Sequence, residues 1–276
     1  MDFYFPSLYK NMTGCFKGTE GLFYGSAGRI YYVYAGSGEC VLLLHNLGPG
    51  MSSYEWCNNF YELTKSFKVY AVDMPGYARS EKNTYIYTAP VFIKFIKEFI
   101  TKKIKAPVYI AASGISANYA AIAAYGLPNL VKGIIMSSPV SAAADYVFFP
   151  EDLKKERFKN IYGKYTSVSE LKKFAECCVS RYAAQNINGM LDEMYRCTLQ
   201  QPFAEYAAGS YIEGYSNISC KYVLDMLKCP VKILSGAKTP EKIFTASSKA
   251  YKKTLSPHIE DSGNFNNELL KLASGS

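Results

Sequence analysis

The stretch VYIAASGISANYAA, residues 108–121, decides the fold. Pro107–Ala112 is a short continuous apolar run, the mark of a strand buried on both faces. Gly114–Tyr125 is rich in alanine and reads as a helix. Ser113 falls at the junction, between small residues. A serine on a sharp strand-to-helix turn is held out as a nucleophile. Taken alone, the motif also fits a serine that merely caps the helix.

Working outward, strand-like runs alternate with helical patterns. Residues 29–34, 40–45, 67–73, 131–138 and 229–236 read as strands. Residues 53–64, 90–104, 239–255 and 266–273 read as helices, and 256–261 as a weak last strand. Pro90 suits the first turn of its helix. Alternation of this kind implies a mostly parallel sheet covered by helices on both faces. From Pro139 to about Leu227 the pattern turns helical, with no buried strand standing out. The expected organisation is a core domain of residues 1–139 and 228–276, carrying a helical cap insertion at 140–227.

The composition narrows the function classes. The chain has 276 residues, 49% of them hydrophobic and 20% charged, enough for one sizeable buried core. Its net charge of +8 comes with no nucleic-acid motif, so the mild lysine clusters read as solvated helix faces. No stretch approaches the roughly 20 apolar residues of a membrane span. The eight cysteines form no CxxC pair and no zinc spacing with the two histidines. The expectation is reduced thiols in a cytoplasmic protein, with no metal and no cofactor. Cys177 and Cys178, with no histidine nearby, read as inert cap cysteines.

Three blocks resemble the α/β-hydrolase superfamily, and more narrowly its small bacterial esterase- and lipase-like branch. The first is LLLHNLGPGMSSYEW (42–56), similar to the family's strand followed by His-Gly. The resemblance makes Leu47 an oxyanion-hole donor, with His45 and Asn46 as the supporting turn and Asn46 in place of the usual glycine. The second is VYAVDMPGYARSEK (69–82), like the family's Asp-x-x-Gly-x-Gly-x-Ser turn, with Ala78 where a glycine is usual. The third is the opening stretch. It is similar to the G-x-S-x-G elbow when read as Ala111-Ala112-Ser113-Gly114-Ile115. It implies Ser113 as nucleophile and the Gly114 N–H as second oxyanion donor. The implied fold is an α/β-hydrolase fold.

The partners that would activate Ser113 are missing from their usual places. A serine hydroxyl needs a base, usually histidine, oriented by a carboxylate. At the family's acid position stands Thr239, with Glu241 two residues on. At the histidine position stands Asn264, and Asn267 fills a later slot. Asn264 cannot take a proton near pH 7. His258 lies six residues earlier in the expected last strand, a shift of roughly 20 Å along a strand.

Three functions remain open on the sequence. One is a non-hydrolytic or weakly active member binding a small apolar or acyl ligand between core and cap. Another is a lyase, cyclase or isomerase reusing the oxyanion hole. The third is a carboxylic-ester hydrolase whose base comes from a non-standard position or a neighbouring subunit.

Overall fold

The computed structural model describes residues 16–140, 160, 162–163, 167–178, 188–199, 202–235, 248–250 and 256–275. Its centre is an eight-stranded sheet: β1 (Thr19–Gly25), β2 (Gly28–Ala35), β3 (Cys40–Leu44), β4 (Lys68–Val72), β5 (Val108–Ser113), β6 (Val131–Ser137), β7 (Val231–Ser235) and β8 (Ser248–Ala250). The spatial order is β1-β2-β4-β3-β5-β6-β7-β8. β1 pairs antiparallel with β2, and β2 antiparallel with β4. From β4 to β8 every pairing is parallel.

Every residue of β3 and β5 is buried, as expected of parallel strands covered on both faces. Their alternate side chains sort into two apolar layers. Leu42, Leu44, Ile110 and Ala112 face helices α2 (Ala89–Glu98) and α3 (Gly114–Tyr125). Val41, Leu43, Tyr109 and Ala111 face Trp56, Phe60, Phe265 and Leu269. A short 3₁₀ turn (Ser53–Trp56) carries Trp56, and α1 (Cys57–Leu63) carries Phe60.

Between β6 and β7 lie four described helices: α4 (Val168–Cys178), α5 (Asn188–Thr198), α6 (Ala204–Ile212) and α7 (Lys221–Leu224). Helix α3 is tied to the segment before α7. Asn118 Nδ2 donates to Ile218 O at 2.7 Å, and the Tyr119 hydroxyl to Ser216 O at 2.6 Å. After β8 come α8 (Pro257–Glu260) and α9 (Ser262–Ser274).

Four expectations change. β1 was not anticipated, because most of it is exposed and offers no continuous apolar run. Helix α2 stops at Glu98 and widens into a π turn, Phe99–Ile104. β8 falls inside the expected 239–255 helix and pairs with β7. Residues 256–261 form a helix rather than a strand, with Pro257 in its first turn. The thiols also differ. Cys40, Cys197, Cys220 and Cys229 are free, whereas Cys57 is in a disulfide. Disulfides are rare in a reducing cytoplasm, so the cysteines no longer argue for that compartment.

Candidate functional site

The site begins where β5 turns into α3. Ser113 is extended, at φ −115° and ψ 152°. The left-handed residue is the next one, Gly114, at φ +53°. An L side chain there costs about 1–2 kcal/mol. It would also have nowhere to go. A Cβ on Gly114 would lie 2.1 Å from Asn46 Oδ1, 2.2 Å from its Cγ and 2.6 Å from its Nδ2.

Asn46 follows β3, and its carboxamide fills the space in front of the turn. Asn46 Oδ1 accepts the Leu47 N–H at 2.9 Å and the Ile115 N–H at 3.1 Å. Two backbone donors, one from the loop after β3 and one from the start of α3, thus converge on one oxygen. An elbow offers such a donor pair to a developing oxyanion. Leu47, expected as an oxyanion donor, supplies one of these N–H groups. The other belongs to Ile115, one residue after the expected Gly114.

Neighbouring groups hold Asn46 in place. Its own N–H donates to Glu55 Oε2 at 2.6 Å. Its carbonyl oxygen lies 2.6 Å from His45 Nδ1. His45 Nε2 accepts the Met74 N–H at 2.9 Å, so the proton sits on Nδ1 and is donated to Asn46 O. Complete burial pushes the His45 pKa down, although Asp73 and Glu55 pull the other way, and the ring stays neutral. Asp73, at the end of β4, fixes the floor. It accepts the Ser53 N–H at 2.9 Å and pairs with Arg79 Nε at 2.7 Å. Burial would raise its carboxyl, but Arg79 brings it down to about 2.

Ser113 is almost fully buried, and its hydroxyl donates to Glu55 Oε1 at 2.9 Å. The same oxygen faces His258 Nε2 at 2.8 Å, and His258 Nδ1 lies 2.7 Å from Ser137 Oγ. The His258 ring rests on Trp56, with centroids 4.4 Å apart. Burial alone would raise the Glu55 pKa. The charge and hydrogen bond of His258, helped by His45 and the Asn46 N–H, take it below its ordinary range. Glu55 is therefore an ionised carboxylate with three donors on its two oxygens. Such a group is a poor proton acceptor.

His258 corrects its expected placement, since the segment is helical and brings the ring into this network. Asn264 does not hold a histidine-like place there. It is half-exposed in the first turn of α9, where its Nδ2 donates to Asp261 Oδ2 at 3.4 Å. Thr239 and Glu241 lie outside the described residues. Glu55 was not singled out from the sequence. The signal available was a lone acidic residue beside the only tryptophan, directly after the oxyanion-like turn.

The helices between β6 and β7 close over this region. A Cβ on Gly50 would lie 2.5 Å from Met194 O, so α5 rests directly on the loop after Asn46. A cleft of about 200 Å³ beside Glu55 is lined by Met51, Tyr54, Met190, Glu193 and Met194, and its enclosed part has room for about one water. Among the described residues no His, Cys, Asp and Glu cluster suits a metal, and no helix is long and apolar enough to cross a membrane.

The sequence profile described as the alpha/beta hydrolase fold matches residues 40–240. No curated protein matches the sequence. Among solved structures, a serine hydrolase involved in carbazole degradation superposes with a TM-score of 0.76 at 17% identity, covering 94% of this chain and 100% of its own. An enol-lactonase from Burkholderia xenovorans gives 0.73 at 13% identity, covering 92% and 100%. A thermophilic esterase from Thermogutta terrifontis gives 0.73 at 15%, covering 93% and 98%. At these identities the likeness concerns the fold.

Proposed function

The chain belongs to the alpha/beta hydrolase fold family, and within it we propose a non-hydrolytic member whose reaction centre is filled by its own Asn46. The observation that carries this reading is the convergence of the Leu47 and Ile115 N–H groups on Asn46 Oδ1. An elbow places its nucleophile on the strained residue of the turn, and the next N–H becomes an oxyanion donor. Applied here, that rule makes Gly114 the nucleophile position. The motif then reads Ala112-Ser113-Gly114-Ile115-Ser116, with small residues at both outer places. The site lacks a nucleophile side chain, and its oxyanion nest is already occupied. This replaces the assignment of Ser113 as nucleophile.

The described helices between β6 and β7 act in this proposal as a cap over the centre. The methionines of the cleft beside Glu55 favour a small apolar or acyl-bearing ligand, because their flexible side chains adapt to irregular shapes.

One observation favours an active serine hydrolase instead, namely the hydrogen bond from Ser113 Oγ to Glu55. Against it stand the burial of Ser113, its unstrained backbone and the low proton affinity of Glu55. Labelling with a fluorophosphonate, beside an active serine esterase, separates the two. The expected result is no labelling of folded protein. Labelling that Ser113→Ala abolishes would overturn the proposal and make Ser113 the nucleophile.

A further inference from the structure

On the far side of the Gly50–Met51 loop lies a second cleft, with about 220 Å³ of unfilled space. Lys82 lines it. Its ammonium donates to the carbonyl oxygens of Ala78 and Ser80, the latter at 3.2 Å. Among the described residues no carboxylate pairs with it. The charged or titratable groups around it among the described residues are Cys197 of α5, Asp73 at the end of β4 and Arg29 of β2, with the phenols of Tyr77 and Tyr162 in the same lining. None supplies a free negative charge. Asp73 is committed to Arg79, and Arg29 is itself a cation. The Cys197 thiol is buried, with its pKa pushed well above the ordinary range, and it donates to Glu193.

Gly50 lines the same cleft. The Gly50 N–H makes no hydrogen bond to any described group. The rest of the lining mixes apolar side chains, Met51, Ala204 and Ala208 among them, with the phenols of Tyr77 and Tyr162. The enclosed part has room for about one water, enough for a single charged oxygen with its substituent lying along the cleft.

We propose that this cleft is a binding site for a short aliphatic carboxylate, held by the Lys82 ammonium and the Gly50 N–H. A partly enclosed cation without a counter-ion among the described residues, an unused backbone donor and the apolar side chains of the lining together select an anionic head with a small hydrocarbon tail. Burial depresses the lysine to about 8, so the ammonium form that binds an anion prevails at neutral pH and is lost above that value. A bound carboxylate would move this pKa back up. The site is separate from the Asn46 nest, and its occupancy does not depend on whether the chain hydrolyses esters.

The test is calorimetric titration of the full chain with propionate and with propionamide, its neutral counterpart. Propionate should bind and propionamide should not. Lys82→Met, which keeps the stem and removes the charge, should weaken propionate by about ten-fold or more, as loss of a charged hydrogen bond requires. Wild-type affinity should fall as the pH is raised through about 8. Equal binding of acid and amide, absence of propionate binding by wild type, or unchanged affinity in a folded Lys82→Met variant would each overturn the proposal. The acid-against-amide comparison uses wild type alone, so it stands even if the variant does not fold. Fluorophosphonate labelling does not read this site, so the two proposals fail independently.

Discussion

If the Asn46 carboxamide occupies the place of a nucleophile side chain, residues 46 and 114 must be energetically coupled. Asn46→Ala removes the three atoms that a Cβ at position 114 would strike. It also removes the acceptor of two buried N–H groups, which costs about 2 kcal/mol at a net 1 kcal/mol each. Gly114→Ala alone places a methyl group 2.1 Å from Asn46 Oδ1. The carboxamide must then swing away and lose the same two bonds. To that loss the left-handed backbone adds about 1–2 kcal/mol, for a total of about 3–4 kcal/mol. In the Asn46→Ala background the bonds are already gone, and Gly114→Ala costs only the backbone part. The double variant is thus expected about 2 kcal/mol more stable than the sum of the singles. Urea unfolding of all four proteins measures this cycle. The only tryptophan, Trp56, is fully buried against His258 and reports the transition directly. Independent sites add to within about 0.5 kcal/mol. Additivity of that quality would refute the occupied-nest reasoning.

The other expectations concern the buried charges. Glu55 has a folded pKa below its unfolded one, so its stabilisation is complete above the ordinary carboxylate range and fades as the pH falls through the folded value. Glu55→Gln should lower stability at pH 7 by about 3 kcal/mol, as for one partner lost from a buried pair, and flatten the acid limb of the stability curve. Asp73 follows the same sign. Its shift from 3.8 to about 2 contributes about 2 kcal/mol, present above about pH 4 and lost by about pH 2, and Asp73→Asn should abolish that portion of the curve. His45 should remain the neutral Nδ1–H tautomer at pH 6 by ¹⁵N NMR; a charged ring at that pH would contradict its donation to Asn46 O and acceptance from Met74 N–H.

Much of the architecture was legible because burial writes itself into the sequence. The runs of β3 and β5 are apolar throughout, since both faces of these strands are covered. Helix α3 was bounded correctly at Gly114–Tyr125. β1 was hidden because an exposed edge strand needs no apolar pattern. The site was less legible. The pattern of 256–261 reads as a strand, in which a six-residue shift is too long for His258 to reach the site; the structure curls that segment into α8 and α9. Glu55 carries no mark in SSYEW that separates a buried carboxylate from a solvated one. The register of the elbow was the subtlest point. Ile115 stood where the motif needs a small residue. In the proposed reading the frame moves by one, which puts Ala112 and Ser116 in the small places and leaves glycine at the left-handed residue.

The two departures, Asn46 and Gly114, make sense only together. Asn46 in front of any side chain at position 114 produces a steric overlap, and Gly114 without Asn46 leaves two buried N–H groups facing a void. Paired, they satisfy every donor of the nest and remove the strain that an L residue would store at φ +53°. Reactive centres commonly give up stability to keep strained residues and unpaired donors ready for substrate. Here the same backbone is relaxed by two side-chain choices, and Glu55 anchors the result by binding the Asn46 N–H, Ser113 and His258 at once. Placing a serine at position 114 alone would therefore create steric conflict before it created a nucleophile. Under the proposed non-hydrolytic reading, a nucleophile at position 114 requires position 46 to change first.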